Sequence, residues 1–220
     1  MKLFTQNSDL KKTGIFGWTL PAHNVVLTNG NKFNTCPNAQ ACGAFCYAKT
    51  GTYKFSNVLK SHIEKLELVL YKREEWINLI NEELKNKKYT NKFIRIHDAG
   101  DFFDIQYAND WINIAKQNQQ CIFYTYTKEV DMFKNKLTYP NNFIVIYSFG
   151  GKQDYLIDKE NDRHSDVFGD YNQMIELGYN DISSDDKQAA IGPKKVGLYR
   201  NNIKHFIKKL GSKKFSDYSK

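Results

Sequence analysis

Three cysteines fall within eleven residues: Cys36, Cys42 and Cys46. Thiolates are soft ligands that suit iron–sulfur clusters and zinc. Five residues separate the first pair and three the second. The segment Cys36-Pro37-Asn38-Ala39-Gln40-Ala41-Cys42-Gly43-Ala44-Phe45-Cys46-Tyr47-Ala48 is rich in Gly, Ala, Asn and Pro. Such a chain can wrap thiolates and backbone N–H groups around one centre. Structural zinc sites favour two pairs of ligands at close spacing, and this chain has one triplet and no second pair. The spacing therefore favours an iron–sulfur cluster, of 4Fe–4S type, with three thiolates and one open iron. A zinc site using the three cysteines and a histidine is the alternative. Cys121 stands alone, at the start of an apolar run, and reads as buried core. His164 lies in the charged run Asp162-Arg163-His164-Ser165-Asp166, as a solvated loop residue or a fourth ligand.

A second set of polar residues gathers at expected strand ends. In Phe93-Ile94-Arg95-Ile96-His97 the period of two puts Arg95 and His97 on one face and Ile94 and Ile96 on the other. If the isoleucines face helices, Arg95 and His97 face the interior, where unpaired charge is costly. Asp98 and Asp101 follow at the strand end, and Gly100 lets backbone approach a ligand. The competing reading is an internal Arg95–Asp salt bridge and a helix N-cap at Asp101 or Asp104. In the next strand Tyr124 and Tyr126 share a face, with Lys128 at the end. No Ser-His-Asp order, P-loop or dinucleotide fingerprint is present.

The elements that position these residues alternate. Strands are expected at 15–20, 25–27, 93–97, 121–126, 143–147 and 196–199. Helices are expected over 55–86 (one or two), 107–117, 130–137, 171–177 and 203–210. This alternation predicts α/β architecture with a largely parallel sheet. A complete eight-stranded barrel takes about 250 residues, so 220 residues predict one domain, 1–220, built as a partial or trimmed (β/α) barrel.

Charge and hydropathy narrow the function classes. With 41% hydrophobic residues the chain can bury a core, which argues against disorder. No apolar run approaches the roughly 18 residues of a membrane helix, and residues 1–20 lack a signal-peptide core. A cytoplasmic protein without membrane partners is expected, and disulfides are not. The net charge of +8 resides in residues 194–220, where nine basic residues face one acid, Asp217. This segment is a solvated face or a weak electrostatic grip on nucleic acid.

A cysteine triplet placed before a β/α alternation, with Phe45 just before the last cysteine, resembles the radical S-adenosylmethionine superfamily, whose usual spacing is three then two. That resemblance implies a ligand at the open iron, S-adenosylmethionine being the candidate, and one-electron chemistry. It implies Phe45 beside the adenine, Asp98, Gly100 and Asp101 near the methionyl amine, and Arg95, His97, Tyr124 and Tyr126 lining the cavity. A closer likeness lies in Leu20-Pro21-Ala22, the cysteine segment ending Cys-Tyr-Ala, Arg95-Ile96-His97-Asp98-Ala99-Gly100-Asp101-Phe102, and Phe123-Tyr124-Thr125-Tyr126-Thr127-Lys128. Together these resemble the gene-product-88-like family of phage proteins. The likeness implies phage or prophage origin, hence the host cytoplasm, and an iron–sulfur protein. It names no reaction, so an enzyme and a non-catalytic cluster-binding module both stand.

Overall fold

The computed structural model describes residues 2–219. Met1, and Lys220 at the end of the basic segment, lie outside the described residues. In chain order the elements are α1 (Ser8–Thr13), β1 (Ile15–Trp18), β2 (Asn24–Val26), β3 (Lys32–Asn34), α2 (Ala41–Ala44), α3 (Ser56–Tyr71), α4 (Arg73–Leu84), β4 (Phe93–Ile96), α5 (Ile105–Gln117) and β5 (Ile122–Thr127). Then come β6 (Phe143–Ser148), β7 (His164–Phe168), α6 (Tyr171–Glu176), β8 (Asn180–Asp181), α7 (Gln188–Ile191), β9 (Lys195–Tyr199) and α8 (Lys204–Leu210).

The fold is mixed α/β. Seven strands form one sheet in the order β1-β4-β5-β6-β7-β9-β8, and β2 pairs with β3. The β1–β4, β4–β5, β6–β7, β7–β9 and β8–β9 pairs are parallel, while β2–β3 is antiparallel. The expected parallel sheet is therefore present, with seven strands. Two helices fill 55–86, broken at Lys72. The short helix expected over 130–137 is present, with Met132–Lys136 wound as a π-helix. The charged run around His164 is a strand, β7. A loop is what the sequence suggests there, because four of the five residues 162–166 are charged or imidazole.

By internal packing the chain divides into two compact units. The first comprises the residues up to Pro37, Ala48–Thr125 and Leu137–Ile144. Its core is aromatic. Trp18, Trp76 and Trp111 are fully buried, with ring centroids 5.5 to 5.9 Å apart. Each such ring contributes a few kcal/mol by burial alone. α5 presents Tyr107, Ala108, Trp111, Ile112 and Ala115 inward, the stripe that helical spacing dictates. Asp104 caps it by accepting from the Tyr107 N–H at 2.7 Å.

The second unit comprises Asn38–Tyr47, Tyr126–Lys136 and Val145 onward. Here β7, β9 and β8 pair, and Asp170 caps α6 through the Asn172 and Gln173 N–H groups. The basic C-terminal segment is built into this unit: Phe206, Leu210 and Phe215 are buried. No helix among the described residues is long and apolar enough to cross a membrane.

Candidate functional site

The cysteine segment is held locally by main-chain bonds. In the first unit the Cys36 N–H donates to Asn34 Oδ1 at 2.8 Å, and Thr35 Oγ1 lies 3.6 Å from Cys36 Sγ. In the second unit, Gln40 and Cys42 both donate to the Gly150 carbonyl, at 3.1 and 3.0 Å, and Lys152 donates to the Asn38 carbonyl at 2.8 Å. Gly150 has φ +97°. A Cβ there would stand 2.7 Å from the Phe215 ring and 3.3 Å from the Cys42 nitrogen, so only glycine brings that turn onto the cysteine segment. The Asp154 carboxylate fixes the turn by accepting from the Gly150 and Gly151 N–H groups at 2.8 and 2.9 Å.

Cys36, Cys42 and Cys46 are half-buried thiols, none of them in a disulfide, whereas Cys121 is buried. The expectation that Cys121 is core therefore holds: its Sγ faces the Tyr89 carbonyl at 3.4 Å, and burial pushes the thiol up to about 11. Three accessible thiols are the donor chemistry a cluster takes. Among the described residues, no three His, Cys, Asp or Glu side chains are gathered tightly enough to hold a metal ion. Phe45 is nearly sealed among the C-terminal aromatics, 5.5 Å from Phe215 and 5.3 Å from Tyr218 by ring centroid.

At the end of β4 the structure separates residues the sequence paired. Arg95 Nη2 lies 3.6 Å from Asp98 Oδ1, the salt bridge of the competing reading. His97 does not share the Arg95 face. The strand stops at Ile96, and φ of +66° at His97 breaks the period-two register. Its ring packs 4.6 Å from Phe102 and 5.5 Å from Tyr107. Gly100, also at positive φ, admits Leu20: a Cβ would lie 2.8 Å from the Leu20 Cβ. Asp101 is buried and accepts from the Phe102 N–H at 2.8 Å. Tyr124 is fully buried, its ring 6.3 Å from Phe93. In the second unit Tyr126 donates to Asp186 Oδ1 at 2.7 Å.

Sequence reasoning missed two polar groupings. In the first unit Asp98 accepts from Tyr53 at 2.5 Å and lines a cleft of about 520 Å³ with Tyr53, His62 and Lys65. Val58, His62, Lys65 and Val69 recur at i, i+4, i+7 and i+11, so a lysine on the inward face of α3 was the available signal. In the second unit His164, Ser165 and Asp166 are fully buried in β7. His164 Nδ1 meets the Asp162 carbonyl at 3.0 Å and Nε2 the Tyr179 hydroxyl at 3.1 Å, so both ring nitrogens are already engaged. Asp166 Oδ1 accepts from the Val167 and Ser216 N–H groups. Burial pushes its carboxyl up to about 6. Lys128, buried after β5, donates to Ser148 Oγ at 2.6 Å.

No curated protein and no solved structure matches this chain. The profile described as gene product 88 matches residues 1–217, agreeing with the order of motifs from Leu20-Pro21-Ala22 to Lys128, and the chain belongs to the gene product 88 family.

Proposed function

We propose that this protein is an iron–sulfur protein in which Cys36, Cys42 and Cys46 supply thiolates to one cluster of 4Fe–4S type. The observation that carries the reading is the contrast among the four thiols, none of them in a disulfide: three within eleven residues are half-exposed, and the fourth is sealed in core. Metal binding couples to local ordering, so the ion itself would draw the donors together. Three thiolates leave one iron open to a small ligand, and the parallel β/α alternation supports a radical-SAM-like reading with S-adenosylmethionine as that ligand. When bound, the cluster supplies one-electron chemistry; the chain's own part is to hold it through the cysteines. The reducing cytoplasm of a phage host keeps the thiols available.

The test is anaerobic reconstitution followed by iron and sulfide analysis and electron paramagnetic resonance with and without S-adenosylmethionine. Broad absorbance in the blue, iron and sulfide in near-equal amounts, and loss of both in any single Cys36→Ala, Cys42→Ala or Cys46→Ala variant are expected. A colourless protein carrying stoichiometric zinc would overturn the cluster. An unchanged cluster spectrum with S-adenosylmethionine, and no 5′-deoxyadenosine, would remove the radical reading alone.

A second reading concerns the basic segment. Lys204, Lys208 and Lys209 are exposed on α8, which favours weak, salt-sensitive association with nucleic acid.

A further inference from the structure

The cleft of the first unit lies outside the cysteine segment and has its own chemistry. Its lining includes Lys65, whose side chain is fully buried and whose Nζ has no hydrogen-bond partner among the described residues. The ammonium sits 5.3 Å over the Trp18 ring, which offsets part of its desolvation but supplies no acceptor. An ammonium has three donors, and leaving them unmet inside a protein is costly. The other charged groups that line the cleft have partners of their own, and Asp9 pairs with Lys12 at 3.1 Å. Asp98 is engaged by Tyr53 and Arg95. Burial, then the charge of Lys65, holds His62 near 4, so it is neutral at pH 7. Lys2 adds positive potential.

The cleft also receives the start of α3. Asn57 and Val58, in its first turn, line the cleft, and the N-cap residue of this sixteen-residue helix, Phe55, makes no side-chain cap bond among the described residues. Uncapped first-turn N–H groups and the helix dipole favour negative charge. The remaining walls carry hydroxyls and amides, among them Thr19, Ser61 and Gln6. At about 520 Å³ the volume suits a small molecule rather than a bare ion.

We propose that this cleft binds a small hydroxylated metabolite through an anionic group, phosphate or carboxylate, that pairs with Lys65. The lysine is then a buried binding group held open for its ligand, with hydroxyl and amide side chains reading the rest of the molecule. Burial lowers Lys65 only to about 8, so the ammonium is largely intact at pH 7.

The test uses the full chain with inorganic phosphate and sodium acetate as probes, against sodium chloride at equal ionic strength. Phosphate or acetate should raise the melting temperature at pH 7 by several degrees at tens of millimolar and alter tryptophan emission through Trp18. Which probe acts better distinguishes a phosphate-bearing from a carboxylate-bearing ligand. The response should vanish in Lys65→Met, which keeps the side chain's length, and should fade in the wild type above pH 9 as the ammonium deprotonates. If Lys65→Met does not fold, Ser61→Leu, which fills the cleft wall, should abolish the response instead. Equal responses in wild type and variant, no response to either probe at pH 7, or a response that persists at pH 10 would overturn the proposal.

Discussion

The hydroxyl of Tyr107 lies 2.9 Å from His97 Nε2 and 2.9 Å from Trp18 Nε1. The indole N–H can only donate, so the hydroxyl accepts from Trp18, and the direction of its bond with His97 Nε2 follows the imidazole tautomer. Burial holds His97 down near 3, so the ring is neutral at pH 7. The unfolded chain takes up a proton near pH 6.5, whereas the folded one resists it until about 3. Stability from this group is fully present above pH 6.5 and is lost as pH falls toward 3.

Chemical denaturation at pH 7 and pH 4 measures that loss. His97 should account for about 3 kcal/mol of the difference. His97→Asn, which tolerates positive φ, should show a correspondingly smaller drop. Equal drops in the two proteins would disprove the assignment. His62 and His164, both lowered chiefly by burial, act with the same sign in both proteins, so the comparison isolates His97.

Asp166 has the opposite sign. Burial raises its carboxyl to about 6, so the folded state pays for ionisation as pH rises from 3.8 through 6. Asp166→Asn keeps an oxygen to accept from Val167 and Ser216. It should stabilise the protein by about 3 kcal/mol at pH 8 and by nothing measurable at pH 4. A variant less stable than wild type at pH 8 would show that the carboxylate has a charged partner.

Cys121→Ala separates core from ligand. It should cost about 1 kcal/mol by leaving a small cavity against Tyr89 and should retain full iron and sulfide loading. Loss of iron in this variant alone would move the metal site to Cys121.

Nucleic-acid association through α8 is tested by charge rather than by truncation, because removing residues 204–219 would take Phe206, Leu210 and Phe215 out of the core. Filter binding of double-stranded DNA should weaken steeply with salt. Lys208→Glu with Lys209→Glu should reduce the slope of log K against log salt by about 2. An unchanged slope, or no binding at low salt, leaves these lysines as a solvated face.

Strands with alternating or continuous β-forming side chains, such as Phe93–Ile96 and Phe143–Ser148, were legible because period and residue type agree. So were α5, through its apolar stripe and the Asp104 cap, and the order of motifs that marks the family. β7 was not legible. Charged and imidazole residues read as loop in isolation, and only pairing between β6 and β9 supplies the burial and the hydrogen bonds that let His164, Ser165 and Asp166 form a strand. The same holds at His97. Alternation predicts a shared face with Arg95, but one left-handed residue at the strand end reverses the ring onto Tyr107, and local sequence carries no sign of that turn. Lys65 shows the limit most plainly. Its position on the inward face of α3 follows from helical spacing, while its lack of a hydrogen-bond acceptor depends on what Trp18, Asp98 and Tyr53 bring near it. Sequence specifies which groups are available and how they repeat; the packing of distant segments decides which of them keep partners and which are left to meet a ligand.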